Sequence, residues 1–230
     1  MNATIEDATN RLVDGKVIAW HQGRSEIGPR ALGARSVLAD PRSASIRQHV
    51  NQFVKHREWF RPLAPTVLAE DAADWFEGIK DNMSPYMSVT AKVKEEKRHE
   101  VPGICHVDGT ARLQTLTRDS NPRYYALLKA FKKKTGCPII LNTSFNDKGE
   151  PIVETAEDAV RTFLRSNGAI NRLYMGNFEI RKRVFPLDTA PAVFGTKKQW
   201  QRKLEALKVH MYVNQRQPPA CAMIWLAGST

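Results

Sequence analysis

A helix bracketed by its own start and stop signals runs directly into an apolar strand, and that junction limits the folds open to this chain. Ser120 or Asn121 with Pro122 supplies an N-cap and a first-turn proline, and Gly136 closes the segment. Lys132, Lys133 and Lys134 in its last turn suit the negative end of the helix dipole. PIILN follows, apolar and too short for a helix, so it reads as a buried strand ending at the polar loop TSFNDKGEPI. Thr155 with Asp158 then forms a capping box for a helix that Gly168 terminates.

The same mixture of elements runs upstream. KVIAW (16–20) reads as a strand entering the loop HQGRSEIGPRALGARS, and SVLAD as a strand leaving it. Ser43 caps a helix to about Val54, with Ile46, Val50, Phe53 and Val54 on one face. Two prolines break KHREWFRPLAPTVLAED, leaving a strand at PTVLAE and a short helix over about 71–76. Met87–Val93 reads as a strand, KEEKRHE as a surface loop or hairpin tip, and ICHVDGTARLQTLT as strand, turn at Asp108-Gly109, strand. Strands and helices alternate without a regular βαβ repeat, which predicts an α/β or α+β sheet with packed helices. The compact part spans residues 15–183. Residues 184–230, with prolines, the helix-like KKQWQRKLEALK and the tail QPPACAMIWLAGST, read as a basic C-terminal appendage.

Charge narrows the ligand class. Lys and Arg outnumber Asp and Glu by 35 to 24, a formal net charge of +11, so the expected partner is anionic: nucleic acid, an anionic membrane surface or a phosphorylated small molecule. No apolar run is long enough to span a membrane and the first residues lack the pattern of a signal peptide, which predicts a cytoplasmic protein with no membrane partner. Cys105, Cys137 and Cys221 form no CxxC pair, and the histidines show no HExxH spacing. Walker A and GxGxxG sequences are absent, so any ATP site is built by other means.

Four clusters carry candidate chemistry. GRSEIGPRALGARS sets Arg24, Arg30 and Arg35 among glycines that admit a ligand to the backbone; the competing reading pairs Arg30 with Glu26 across a turn. KHREWFRP crowds Lys55, Arg57 and Arg61, like charges that a bound anion would compensate; the competing reading is an exposed strand edge. DGTARLQ places Arg112 just past a turn, with Asp108 as a metal ligand, an arginine partner or an ordinary turn residue. LNTSFNDKGEPI gathers Asn142, Thr143, Ser144 and Asn146 at a strand end, where such groups bind phosphate or simply cap turns.

Taken in order, GRSEIGPRALGARSVLADPR, KHREWFRPLAPTVL, DGTARLQTL and LNTSFNDKGEPIVETAEDAV resemble the C-terminal domain of the O-carbamoyltransferases, the family of nodulation and antibiotic-tailoring enzymes. That domain is similar to the YrdC-type threonylcarbamoyl-adenylate synthases, whose K-x-R and S-x-N elements match Lys55-His56-Arg57 and Ser144-Phe145-Asn146. The resemblance implies a YrdC-like twisted mixed sheet. It also implies that carbamoyl phosphate, or carbamate derived from it, attacks ATP with Mg2+ to give carbamoyl-adenylate. Lys55, Arg57 and Arg61 would then be catalytic, and Arg30, Arg35, Arg112, Asn142, Thr143, Ser144 and Asn146 would hold ATP and its phosphates. Metal ligands are not assigned. The family's N-terminal domain, which transfers the carbamoyl group to a hydroxyl acceptor, has no counterpart in this sequence, so a separate N-terminal carbamoyltransferase domain or subunit is the expected partner. Two alternatives stand beside this reading: a nucleic-acid-binding module using basic residues near Tyr124, Tyr125, Phe131 and Trp200, and an inactive fragment.

Overall fold

The computed structural model describes residues 3–184 and 222–228, and nine strands in that span join in one sheet. They are β1 (Ile18–His21), β2 (Arg35–Ala39), β3 (Ala64–Leu68), β4 (Val89–Lys92), β5 (Thr110–Leu116), β6 (Ile139–Ser144), β7 (Arg172–Met175), β8 (Phe178–Val184) and β9 (Ala222–Gly228). The order is β4-β5-β3-β6-β2-β1-β7-β8-β9. The pairs β1/β7, β3/β5 and β8/β9 are parallel and the rest antiparallel, so the sheet is mixed, as the irregular order of elements predicts.

Among the described residues five α-helices accompany the sheet: α1 (Ala3–Val13), α2 (Ser45–His49), α3 (Ala72–Trp75), α4 (Pro122–Thr135) and α5 (Ala156–Arg165). α1 and α4 pack together, α1 against β1 and α4 against β3 and β6, while α5 lies on β1 and β7. α1 starts ahead of Gly15, and Ile5, Ala8 and Leu12 at helical spacing bury its inner face. Trp20, Leu38, Leu113, Phe131 and Ile140 are among the fully buried side chains, each stabilising the fold by about 1.5–3 kcal/mol relative to exposure.

The cap signals of α4 and the N-terminal cap of α5 are borne out. The Asn121 side chain accepts the Tyr124 N–H at 3.0 Å, and Gly136 takes the left-handed conformation. Thr155 and Asp158 form the reciprocal capping box. α5 ends three residues before Gly168, where the Ser166 hydroxyl donates to the Phe163 carbonyl at 2.7 Å.

Five local expectations are corrected. Ser43 does not cap α2; its hydroxyl meets that of Ser45 at 2.8 Å, and the cap residue Ala44 has no side chain to offer. The helix expected to continue to Val54 widens at Val50 into a π-helical turn, closed by the Lys55 N–H on the Val50 carbonyl at 2.9 Å. KEEKRHE is a 3-10 helix over Glu95–Glu100, held by Lys97 bonding Glu100 at 2.6 Å and lying over the Trp75 ring. Only the second half of ICHVDGTARLQTLT is a strand: residues 101–109 turn, and Asp108 Oδ1 accepts the Thr110 N–H at 2.9 Å. KHREWFRP is likewise no strand edge. The basic stretch 197–208 lies outside the described residues, whereas 222–228 of the tail runs beside β8.

The register explains where the four clusters meet. His21 faces Arg35, Ser36 faces Ser144, Asn142 faces Ala64 and Thr110 faces Lys92 across adjacent strands. All these positions lie at one end of the sheet. The loops 22–34, 55–63, 93–109 and 145–155 therefore open on the same rim.

Candidate anion-binding site

The π-helical turn delivers Lys55 into the interior, where it is only 6% exposed. Its ammonium donates to the Ser144 carbonyl at 2.9 Å, the Asn146 carbonyl at 2.7 Å, the Ser144 hydroxyl at 3.3 Å and Asn146 Oδ1. The Ser144 hydroxyl also donates to Asn146 Oδ1 at 2.7 Å, so Lys55, Ser144 and Asn146 form one knot. Burial pushes the Lys55 amine down to about 7, with Arg57 adding to the shift and Asp147 opposing it.

The next residues wrap this knot. His56 takes a left-handed backbone, φ 44°, uncommon for a side chain with a Cβ, and its Nδ1 meets Asp147 Oδ1 at 2.6 Å. Burial raises the Asp147 carboxyl, but the His56 hydrogen bond and the Lys148 N–H bring it below its ordinary value. Arg57 is half-buried and its Nε donates to Asn51 Oδ1 at 2.8 Å. Burial and then Arg61 hold its pKa below normal. Arg61 is exposed and pairs with Glu58 at 2.7 Å. Asn51, not identified from sequence, organises the turn by donating to the Trp59 and Arg61 carbonyls at 3.0 and 2.8 Å. The available signal was a polar residue beside Val50 and Val54 on a helix face reading as core.

Arg35 differs from its sequence assignment as a phosphate ligand. It is 4% exposed, and its guanidinium donates to the carbonyls of Gln22, Gly23, Ala34 and Glu154 at 3.1–3.3 Å. Glu26 does not pair with Arg30. Its Oε1 accepts the Leu32 and Ala34 N–H groups at 2.6 and 2.7 Å, closing the loop on itself. Gly33, at φ 107°, lets this loop lie against Tyr124.

Asn142 lies beneath the loop and is 1% exposed. Its Nδ2 reaches the Ala31 carbonyl at 3.1 Å, Thr66 Oγ1 at 3.2 Å and Gln114 Oε1 at 3.1 Å, while Gln114 Nε2 donates to the Leu32 carbonyl at 2.9 Å. Asn142 thus supports the loop from below. Thr143 sits opposite Val37 on the other face of β6, so the polar groups expected to cluster divide between two faces. Arg112 shares the Gln114 face of β5. Its Nε is buried without a hydrogen-bond partner, and burial, then Arg30, lowers its pKa. Arg30 itself is exposed.

Between the glycine-rich loop and the 146–154 segment lies a hollow of about 430 Å³, lined by Ser25, Glu26, Gly28 and Pro29 on one side and by Asn146 and Pro151 to Glu154 on the other. Trp59 and Phe60, 56% and 63% exposed and packed edge to face, stand on the same rim of the sheet. Of the aromatics near the expected nucleic-acid surface, Tyr124 and Phe131 are fully buried, Tyr125 bonds Glu70 at 2.6 Å, and Trp200 lies outside the described residues. Among the described residues no helix is long and apolar enough to cross a membrane.

The fold is a mixed α/β domain whose four polar and basic clusters gather on one rim of the sheet. The chain belongs to the carbamoyltransferase C-terminus family, whose model matches residues 9–182. It is 50% identical over 178 residues to nodulation protein NolNO of Sinorhizobium fredii (strain NBRC 101917 / NGR234), covering 76% of this chain and 26% of that protein. It is 42% identical over 153 residues to the 3'-hydroxymethylcephem-O-carbamoyltransferase of Streptomyces clavuligerus, covering 66% of this chain and 28% of that protein. The chain thus spans between a quarter and a third of these curated relatives' length. Full-length HypF, solved in a phosphate- and nucleotide-bound form, superposes on 70% of this chain and 19% of its own with a TM-score of 0.50 at 19% identity, a likeness of fold.

Proposed function

We propose that this chain activates a carbamoyl group with ATP. Carbamate, derived from carbamoyl phosphate, bonds through one oxygen to the α-phosphorus, the α–β phosphoanhydride bond breaks, and carbamoyl-adenylate and pyrophosphate result. The observation that carries the reading is Arg112: its buried Nε lacks an acceptor, and the positive charge of Arg30 adds to burial in holding its pKa below normal. A buried donor without a partner is costly, and a phosphate oxygen would satisfy it. The terminal nitrogens of Arg57, aimed by Asn51, would neutralise further charge as the leaving pyrophosphate forms.

In this reading Lys55, Ser144 and Asn146 form a knot behind the Asn146 wall of the hollow, and the ammonium holds that wall in place while lending its charge to the site. Magnesium would arrive on the nucleotide, since among the described residues no three His, Cys, Asp or Glu side chains gather to hold a metal. The HypF crystal form, with phosphate and nucleotide bound, supports a nucleotide as the ligand class. Transfer to a hydroxyl acceptor would fall to a companion N-terminal domain, in keeping with the greater length of the relatives.

The test is calorimetric titration of the chain with ATP and Mg2+, followed by pyrophosphate release on adding carbamate or carbamoyl phosphate. Saturable binding with pyrophosphate release is expected. A folded chain that ignores ATP but binds RNA with a steep salt dependence would replace this reading with nucleic-acid binding.

A further inference from the structure

We propose that Arg35 is a positioning residue: it fastens the glycine-rich loop to the Glu154 segment, so that the hollow between them stands open before any ligand arrives. Three of the four carbonyls it binds, those of Gln22, Gly23 and Ala34, belong to the two ends of the glycine-rich loop. The fourth, of Glu154, ends the opposite wall and is reached from both Nε and Nη2 at 3.3 and 3.2 Å. Both walls of the hollow therefore hang on one guanidinium.

The chemistry demands an arginine. Each of its three nitrogens donates to at least one of these carbonyls, so it joins its own loop to an acceptor 119 residues further along the chain. An ammonium offers three donors from a single point and cannot bridge both walls in the same geometry. The charge is buried with no side-chain ion pair; its acceptors are neutral carbonyls, with Glu154 and Glu26 supplying a more distant field. With its donors engaged in this way, Arg35 acts on a ligand through the loops rather than by touching it. His21 Nε2 lies 3.3 Å from the same Glu154 carbonyl, which marks that oxygen as a shared anchor.

Hydrogen exchange of the ligand-free chain tests the inference, read peptide by peptide in wild type, Arg35→Lys and Arg35→Ala. Exchange is expected to quicken about tenfold or more in both 22–34 and 146–154 of each variant, with α4 and β6 unchanged. Guanidinium ion added to Arg35→Ala is expected to restore protection in both segments together. Three results would overturn the proposal: unchanged exchange in both loops, faster exchange in only one of them, or variants that fail to fold even with guanidinium, which would make Arg35 a support of the whole domain. A parallel ATP titration rests on the functional reading above. Failure of the wild type to bind ATP would remove that reading while leaving the exchange comparison intact.

Discussion

The ammonium of Lys55 lies 2.7 Å from the carbonyl oxygen of Asn146, across 91 residues of chain. The lysine of the K-x-R element and the asparagine of the S-x-N element are therefore joined directly, through protein atoms alone. Lys55 is a pin as well as a cation, so its removal loosens a loop in addition to deleting a charge.

This pin gives a pH signature. The Lys55 amine titrates near 7 in the fold and near 10.5 when free, so between about pH 7 and pH 10 the unfolded chain holds the extra proton. Stability therefore rises with pH across that window, and below it the full cost of a buried ammonium is present. Lys55→Met should flatten the rise, measured as the difference between variant and wild-type urea midpoints at several pH values. Parallel profiles would place the Lys55 titration elsewhere.

Arg57 and Arg61 separate by environment. Arg57→Ala should weaken ATP binding by roughly 10–100-fold, the loss of a charged hydrogen bond worth about 1.5–3 kcal/mol. Arg61→Ala, which removes an exposed pair with Glu58, should cost about fivefold or less. Calorimetry on both variants, with circular dichroism to confirm the fold, decides the order.

Gly33→Ala should destabilise strongly. A Cβ there would come within 2.1 Å of Tyr124 Cδ1, in a ring with no room to retreat, at φ 107°. A loss above about 2 kcal/mol is expected in chemical denaturation. Gly136→Ala, at φ 76° with no atom within 4 Å, should cost only the left-handed backbone, about 1–2 kcal/mol.

Thr155→Ala removes one half of the α5 capping box and should cost about 1 kcal/mol, lowering the melting temperature by roughly 2–4 °C. An unchanged melting point would mean that packing against β1 and β7 alone holds that helix start.

Local rules were readable where the physics is local. Asn121, Gly136 and the Thr155–Asp158 box act within four residues, and each stands where its type predicts. The site was readable as a set of residue types but not as a set of roles. Arg35 and Arg57 look alike in sequence, yet one is bound by backbone carbonyls from loops far apart in the chain and the other presents free guanidinium nitrogens, a division made only by tertiary folding. The π-helical turn at Val50–Val54 left no mark in the hydrophobic period, which suits an ordinary helix equally well. Asn51 was hidden for the same reason, since its partners are main-chain atoms of a turn that sequence periodicity does not describe.

Because the four loops that carry the candidate site share one rim, the other rim stands apart from them. The exposed turn at Asp14–Lys16, between α1 and β1, belongs to that second rim, since it leads into Ile18 at the end of β1 away from His21. A peptide tag spliced there would lengthen the chain at a point where no wall of the hollow is interrupted, giving a handle for immobilisation that leaves the opening accessible.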